Sequence, residues 1–144
     1  TIGFQTDSMF QLDKFNAAFA FQQSLKKING VEDIISVQSA VTLKRNDSTS
    51  KLDAQRIFPS QITSQLQLDS LKNIFLSLPF YKGLIYNAEN KAYLFGIRIN
   101  KEILGSKARE KTVGEIEKVS KIFSETAYEV SYDIENYKWT ISEK

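Results

Sequence analysis

The sequence contains no cysteine and no histidine, and these two absences exclude many familiar enzyme chemistries. Without cysteine there is no disulfide, no thiol nucleophile and no zinc site built from Cys and His. Without histidine there is no Ser-His arrangement and no imidazole base that works near neutral pH. We therefore expect a protein that is not an enzyme and that holds no cofactor and no metal.

Long apolar runs and an excess of one charge are missing as well. No segment approaches the roughly 20 apolar residues of a membrane span, and no secretory signal pattern opens the chain. The 19 basic and 17 acidic residues leave a net charge of +2, which lacks the concentrated positive field that nucleic acid binding needs. The length of 144 residues fits one domain, residues 1–144.

Paired carboxylates occur twice, at Glu32 with Asp33 and at Glu115 with Glu117. General acid-base catalysis needs two carboxyl groups that converge in a cleft with separated pKa values. Neighbours on a strand point to opposite faces, and the two helical glutamates do not share a helix face. Both pairs are interpreted as solvated surface charge.

The hydrophobic periodicity predicts alternating strands and helices. The predicted elements are a strand at 1–5, a helix at 12–29, a strand at 31–43, a loop at 44–51, a helix at 63–76, a hairpin at 84–99, a helix from 106 and a strand at 128–134. Ser8 with Gln11, and Ser64 with Gln67, match capping boxes that start the first two helices. The clearest strand has Tyr93, Phe95, Ile97 and Ile99 alternating with smaller or polar residues.

This order is β-α-β, an insertion, and then β-β-α-β. The insertion is a loop plus a helix at residues 44–78, between the second and third strands. Without it, two β-α-β units remain, which is typical of an α+β protein with the ferredoxin-like split arrangement, an antiparallel sheet with helices on one face. The first and last strands, 1–5 and 128–134, are then expected to be antiparallel neighbours.

Aromatic residues interleaved with lysines could stack on single-stranded nucleic acid, as in ferredoxin-like RNA-binding domains. Those domains carry a Gly-Phe-Gly-Phe type of motif on a central strand, whereas residues 92–99 here read AYLFGIRI. Together with the balanced charge, this favours core packing for most of the rings, and we expect no nucleic acid partner.

Three stretches, residues 12–41, 68–119 and 128–132, carry a family pattern. A helix ends at Gly30-Val31 before the strand motif Val37-Gln38-Ser39, then come SLPFYKGLIYN at 77–87 and NKEILGSKAR at 100–109. These motifs resemble the first extracytoplasmic loop of a bacterial RND-superfamily (resistance-nodulation-division) exporter of the MMPL-like branch. The sequence departs from that family at residues 133–136, where the family usually has a Ser-Gly-x-Pro turn.

The resemblance implies a periplasmic porter domain, an excised soluble loop of an integral membrane protein at the periplasmic face of the bacterial inner membrane. Its partners would be the transmembrane helices and a second porter domain of the same full-length chain, which could itself form an oligomer. The substrate would be a lipid or a hydrophobic small molecule. Residues 135–144 would link the domain to a transmembrane helix. The chain begins in a predicted strand, so we expect a fragment of a longer protein.

Two pairs of aromatic residues are the candidate functional positions. Phe80 and Tyr81 follow Pro79 at the mouth of the hairpin, where a substrate or a neighbouring domain could bind, although both rings could instead cap the core. Tyr137 and Trp139 are expected to lie near the membrane, because amphipathic rings favour its interface. The alternative function is a stand-alone ligand- or peptide-binding module of ferredoxin-like fold.

Overall fold

The structure, a computed structural model, describes residues 1–126, 128–133 and 138–143, with side chains described for residues 1–123. The strands are β1 (Ile2–Gln5), β2 (Val31–Ile35), β3 (Val41–Asn46), β4 (Lys51–Arg56), β5 (Tyr86–Asn87), β6 (Ala92–Ile99), β7 (Tyr128–Asp133) and β8 (Lys138–Glu143). The helices are α1 (Leu12–Lys26), α2 (Gln65–Leu76), α3 (Lys101–Leu104) and α4 (Ala108–Thr126). The chain is therefore an α+β protein.

The main sheet has the order β2-β6-β1-β8-β7, and the short β5 pairs with β6. Strand β6 is antiparallel to both of its neighbours, β2 and β1. The crossover β1-α1-β2 therefore joins two parallel strands with β6 between them. The crossover β6-α4-β7 likewise spans the sheet, over β1 and β8, so the two β-α-β units are interleaved.

The sheet order corrects the expected pairing of the first strand. Strand β1 pairs with β8, in parallel, and Ile2 lies opposite Trp139. Strand β7 pairs with the far side of β8, so it does not touch β1. The prediction that strands 1–5 and 128–134 are neighbours is wrong. The segment 135–144, expected as a linker, instead contains strand β8, which pairs antiparallel with β7.

A second sheet contains only β3 and β4, which pair antiparallel from Val41 with Arg56 to Asn46 with Lys51. The sequence predicts one strand over 31–43 and a loop over 44–51, and both predictions are wrong in detail. Ser39 Oγ accepts a hydrogen bond from Ser36 N and donates to Ile34 O. A 3₁₀ turn at Val37–Ser39 therefore ends β2 before β3 begins.

The core is built mainly from phenylalanines. Phe4 stacks on Phe95 with ring centroids 5.5 Å apart, so β1 and β6 share one apolar layer. Phe21 of α1 contacts both Phe95, at 5.4 Å, and Phe123 of α4, at 4.4 Å. One ring therefore connects both long helices to the sheet. Burying such rings is the main source of stability, since each removes a large apolar area from water.

A second aromatic group attaches α2 to the rest of the domain. Phe75 of α2 lies 6.0 Å from Phe58 and 6.2 Å from Phe10, and Phe15 of α1 lies 4.8 Å from Phe58. The segment after β4 is thereby anchored between α1 and α2. The inserted residues 44–78 are part of the same packed body.

The two predicted capping boxes have different outcomes. Ser64 is the N-cap of α2, and its hydroxyl accepts a hydrogen bond from Gln67 N at 3.2 Å, as predicted. Helix α1 begins at Leu12 with Gln11 as its N-cap, so the box predicted at Ser8 does not form. Gln65 of α2 instead accepts from Leu12 N at 2.8 Å. A tertiary contact thus replaces the local cap.

No helix among the described residues has both the length and the apolar character needed to cross a bilayer.

Candidate functional site

The segment from Leu78 to Tyr81 leaves α2 and turns sharply. Pro79 is the first residue of a 3₁₀ turn, which suits its fixed φ and its lack of an N–H. The turn points the next two rings in different directions. Phe80 is 72% exposed, whereas Tyr81 is buried at 7%. The two candidate residues therefore have different environments, although their rings remain in edge contact at 5.2 Å.

Tyr81 joins this turn to the separate hairpin. Its hydroxyl donates to Val41 O at 2.9 Å and accepts from Val41 N at 2.8 Å. Its ring stacks on Phe75 of α2 at 5.4 Å. The residue thus holds β3 at a fixed position relative to α2, and its role is structural.

An apolar groove of about 460 Å³ lies between β3 and this turn. It is lined by Val41, Thr42 and Leu43 on one side and by residues 78–81 on the other. Phe80 forms one wall, and Leu43, 62% exposed, forms part of the other. Exposing two large apolar side chains next to each other is costly in water, so the groove is a candidate interaction surface.

The apolar character continues across one face of the hairpin. Residues paired directly in an antiparallel ladder share a face, and alternate residues along a strand do as well. The face that contains Leu43 therefore consists of Val41, Leu43, Arg45, Leu52, Ala54 and Arg56. Leu52 is 66% exposed. This face carries two arginines and no acidic residue.

The two arginines differ in their contacts with the described residues. The guanidinium of Arg56 lies 5.8 Å from the ring centre of Phe19 and donates weakly to Gln38 O at 3.5 Å. Arg45 forms no ion pair with any residue whose side chain is described. Among the residues with described side chains, the positive charge of Arg45 therefore has no ion-pair partner, and it lies on the same hairpin face as the exposed leucines.

The outer edge of β3 has unpaired backbone groups. Ile57 N donates to Ala40 O, which places residue 40 and its alternate neighbours 42, 44 and 46 in the hydrogen-bonded pairs with β4. The N–H and C=O groups of Val41, Leu43 and Arg45 then point away from β4. Tyr81 satisfies those of Val41. Within the described part of the chain, those of Leu43 and Arg45 meet no backbone or side-chain partner.

A second, more polar cavity of about 330 Å³ lies beside the turn that joins β5 to β6 and the segment that follows β1. It is bordered by Asp7 and Lys91, which form an ion pair, and by the half-buried Tyr93. Burial first, and then the nearby Tyr86 and Asp7, raise the pKa of Tyr93 above 10.0. A tyrosine that keeps its proton more firmly is no base at neutral pH.

One member of each predicted carboxylate pair, Glu32 and Glu117, forms a partly exposed ion pair. Glu32 pairs with Arg98 at 3.2 Å and accepts from Asn100 at 3.1 Å, while Glu117 pairs with Lys121 at 3.6 Å. The residues with described positions contain no cluster of three potential metal-ligating side chains.

Of the two membrane-proximal candidates, Trp139 lies among the described residues and Tyr137 does not. Trp139 lies in β8, in register with Ile2 of β1 and Tyr132 of β7, in the interior of the sheet. Tyr137 lies outside the described residues, as do the neighbouring residues 134–136 that depart from the family pattern.

The groove itself was only half visible in the sequence. Phe80 is a candidate, but Leu43 ends the predicted strand 31–43, and Leu52 follows the predicted loop 44–51 and belongs to no predicted element. The alternation Val41-Leu43-Arg45 followed by Leu52-Ala54-Arg56, separated by the polar turn at residues 47–50, is the signal that predicts this hairpin.

No protein-family model, no curated protein and no solved structure matches this chain.

Proposed function

We propose that this chain is an extracytoplasmic porter domain of a proton-driven RND exporter of the MMPL-like branch. In that role it shapes part of the substrate path and moves relative to a second porter domain during transport. The observation that carries the proposal is the resemblance of the motifs at residues 77–87 and 100–109 to the first loop of such exporters. The proposal assigns no catalytic step to the chain.

The packing of the motifs supports a common architectural role for them. Asn100, which opens the second motif, donates its backbone N–H to Gly30 O at 2.8 Å, and its side chain caps α3. Ile103 of the same motif packs where a side chain on Gly30 would lie. The Gly30-Val31 motif and the 100–109 motif thus pack directly against each other, although about half of the chain separates them in the sequence.

The finer assignment of the sheet belongs to this proposal. We propose a ferredoxin-like split arrangement formed by β1, β2, β6 and β7, in which β8 is inserted between β1 and β7. Two features support it: the interleaved crossovers through α1 and α4, and the antiparallel placement of β6 between β2 and β1. A loop between two transmembrane helices would use this sheet as a rigid body that transmits movement.

Within the exporter, the groove beside Phe80 would face the second porter domain or the substrate path. The test is made in the full-length chain, with efflux of a fluorescent hydrophobic dye as the readout. Phe80→Ala is expected to lower the efflux rate several-fold at unchanged protein level. The matched control is Leu66→Ala, because Leu66 is 79% exposed on α2 and does not line the groove. Equal efflux in both variants would contradict a functional role for Phe80.

The runner-up function is a stand-alone ligand- or peptide-binding module, which the open groove and the unpaired edge of β3 favour. The full-length gene separates the two. Stretches of about 20 apolar residues shortly before residue 1 and after residue 144 support the exporter. A soluble continuation on both sides contradicts it and leaves the binding module.

A further inference from the structure

We propose that the outer edge of β3, together with the groove beside it, binds an extended peptide that adds a third strand to the β3–β4 sheet. The partner is a segment in which an apolar residue and an acidic residue lie two positions apart, on the same face of the added strand. The inference stands on the geometry of the hairpin and does not depend on the exporter proposal.

The first argument is the hydrogen-bonding capacity of the edge. Leu43 and Arg45 present outward N–H and C=O groups in the same direction, at the spacing of one ladder repeat. An unpaired edge of this kind is a template for another strand. A lipid or a drug has no alternating N–H and C=O groups with which to fill it, whereas an extended backbone does.

The second argument is that the outward backbone groups of β3 are hydrogen-bonded at one end of the strand, by Tyr81, and available for a partner at the other end. Tyr81 already occupies the outward groups of Val41 with both of its hydrogen bonds. An incoming strand can therefore pair only from Leu43 onward, toward Arg45, so the phenol fixes where the added strand ends. Leu43, the first residue of the open part, is an exposed apolar residue.

The third argument concerns the side chains of the partner. In strand addition, backbone hydrogen bonds supply affinity and pockets for alternate side chains supply specificity. The groove walled by Phe80, Leu78 and Leu43 can take an apolar side chain. Arg45, which has no ion-pair partner in the described part of the chain, lies two residues further along the same strand. An acidic residue of the partner, two positions from the apolar one and therefore on the same face, complements it.

The test is a fluorescence-anisotropy titration of the 144-residue chain with a labelled peptide of about seven residues, a common strand length. Every second residue of the peptide is threonine, and the positions between are valine and glutamate in turn, so that valine and glutamate share one face. Two matched peptides complete the set. One carries N-methyl groups on alternate backbone amides and cannot pair as a strand. The other has lysine in place of glutamate. We expect saturable binding of the first peptide and at least about tenfold weaker binding of both others.

Protein variants locate the site. Leu43→Pro removes an outward N–H without removing a hydrogen bond between β3 and β4, and it is expected to weaken binding about tenfold or more. Ala54→Pro is the matched control, because Ala54 is the register partner of Leu43 and its N–H faces the opposite edge, on β4. Phe80→Ala is expected to weaken binding about tenfold through loss of the groove wall, and Leu66→Ala to leave it unchanged.

Several results would overturn the inference. They are no saturable binding of the glutamate-valine peptide, equal binding of the N-methylated peptide, or equal loss with both proline variants in chains that still unfold cooperatively. If the chain dimerises with increasing concentration and Leu43→Pro abolishes the dimer, the edge binds a second copy of the chain and the peptide proposal is wrong. If the chain binds anionic phospholipid vesicles but no peptide, and Phe80→Ala removes the vesicle binding, the surface binds a membrane and the peptide proposal is wrong.

Discussion

The phenol of Tyr81 hydrogen-bonds both backbone groups of Val41, at 2.9 Å to the carbonyl oxygen and at 2.8 Å from the amide nitrogen. A single side chain therefore acts as the neighbour that an edge strand otherwise lacks. Tyr81 connects the β3–β4 hairpin to α2, and it leaves the rest of the β3 edge open.

Tyr81→Phe is expected to lower the free energy of unfolding by about 1 to 3 kcal/mol, because two part-buried backbone groups lose their partner. Urea denaturation followed by circular dichroism measures the change. The matched control is Tyr86→Phe, since Tyr86 is similarly buried at 8% and its hydroxyl hydrogen-bonds no described residue. A loss of equal size in both variants would mean that the hydroxyl of Tyr81 contributes nothing through Val41.

Phe75→Ala and Phe80→Ala are expected to differ widely, although the substitution is the same and the residues lie five positions apart. Phe75 is fully buried at 0%, and removing its ring leaves a cavity that costs about 3 to 5 kcal/mol. Phe80 is 72% exposed, and its removal is expected to change stability by no more than about 0.5 kcal/mol. Thermal and urea unfolding measure both. A large loss from Phe80→Ala would make its effects on binding or transport uninterpretable.

Gly30→Ala is expected to destabilise the domain by about 1 to 3 kcal/mol. Gly30 has φ of +95°, and a Cβ there would lie 2.6 Å from Ile103 Cδ1. Gly114→Ala is the control, because a Cβ at this helical position meets nothing within 4 Å. It is expected to raise stability by about 0.5 to 1 kcal/mol, as alanine favours helices. The same sign of change for both variants would contradict the local geometry.

Stability is expected to fall in alkaline solution partly through Tyr93, whose pKa in the folded chain is raised above 10.0 by burial first, then by Tyr86 and Asp7. The unfolded chain releases this proton at the ordinary value, and the folded chain releases it at a higher pH. The contribution of Tyr93 to stability is therefore complete below pH 10.0 and is lost as the pH rises through the folded-state pKa.

Tyr93→Phe tests this by removing the ionisable group. Its unfolding free energy is expected to decline less than that of the original chain once the pH exceeds 10.0, while the two chains run parallel near neutral pH. Urea denaturation at a series of pH values measures the difference. Identical alkaline slopes would show that Tyr93 titrates alike in the folded and unfolded states.

The sequence alone determined the elements whose pattern is local. The spacing of Phe15, Ala18 and Leu25 predicted α1, the alternation around Phe95 predicted β6, and Ser64 with Gln67 predicted the start of α2. Each signal comes from the geometry of one backbone segment, 3.6 residues per turn or two per pleat. The α+β class follows from their order.

The tertiary structure decided which strands pair and which rings are exposed. Residues 138–143 form a strand that lies between β1 and β7. This position depends on pairing with β1, at the other end of the sequence. The adjacent rings of Phe80 and Tyr81 are equivalent in the sequence, but the phenol of Tyr81 finds its partner at Val41, 40 residues earlier. Local propensity carries no information about such distant partners. Burial of Tyr81 and exposure of Phe80 were therefore fixed by the fold, and with them the groove.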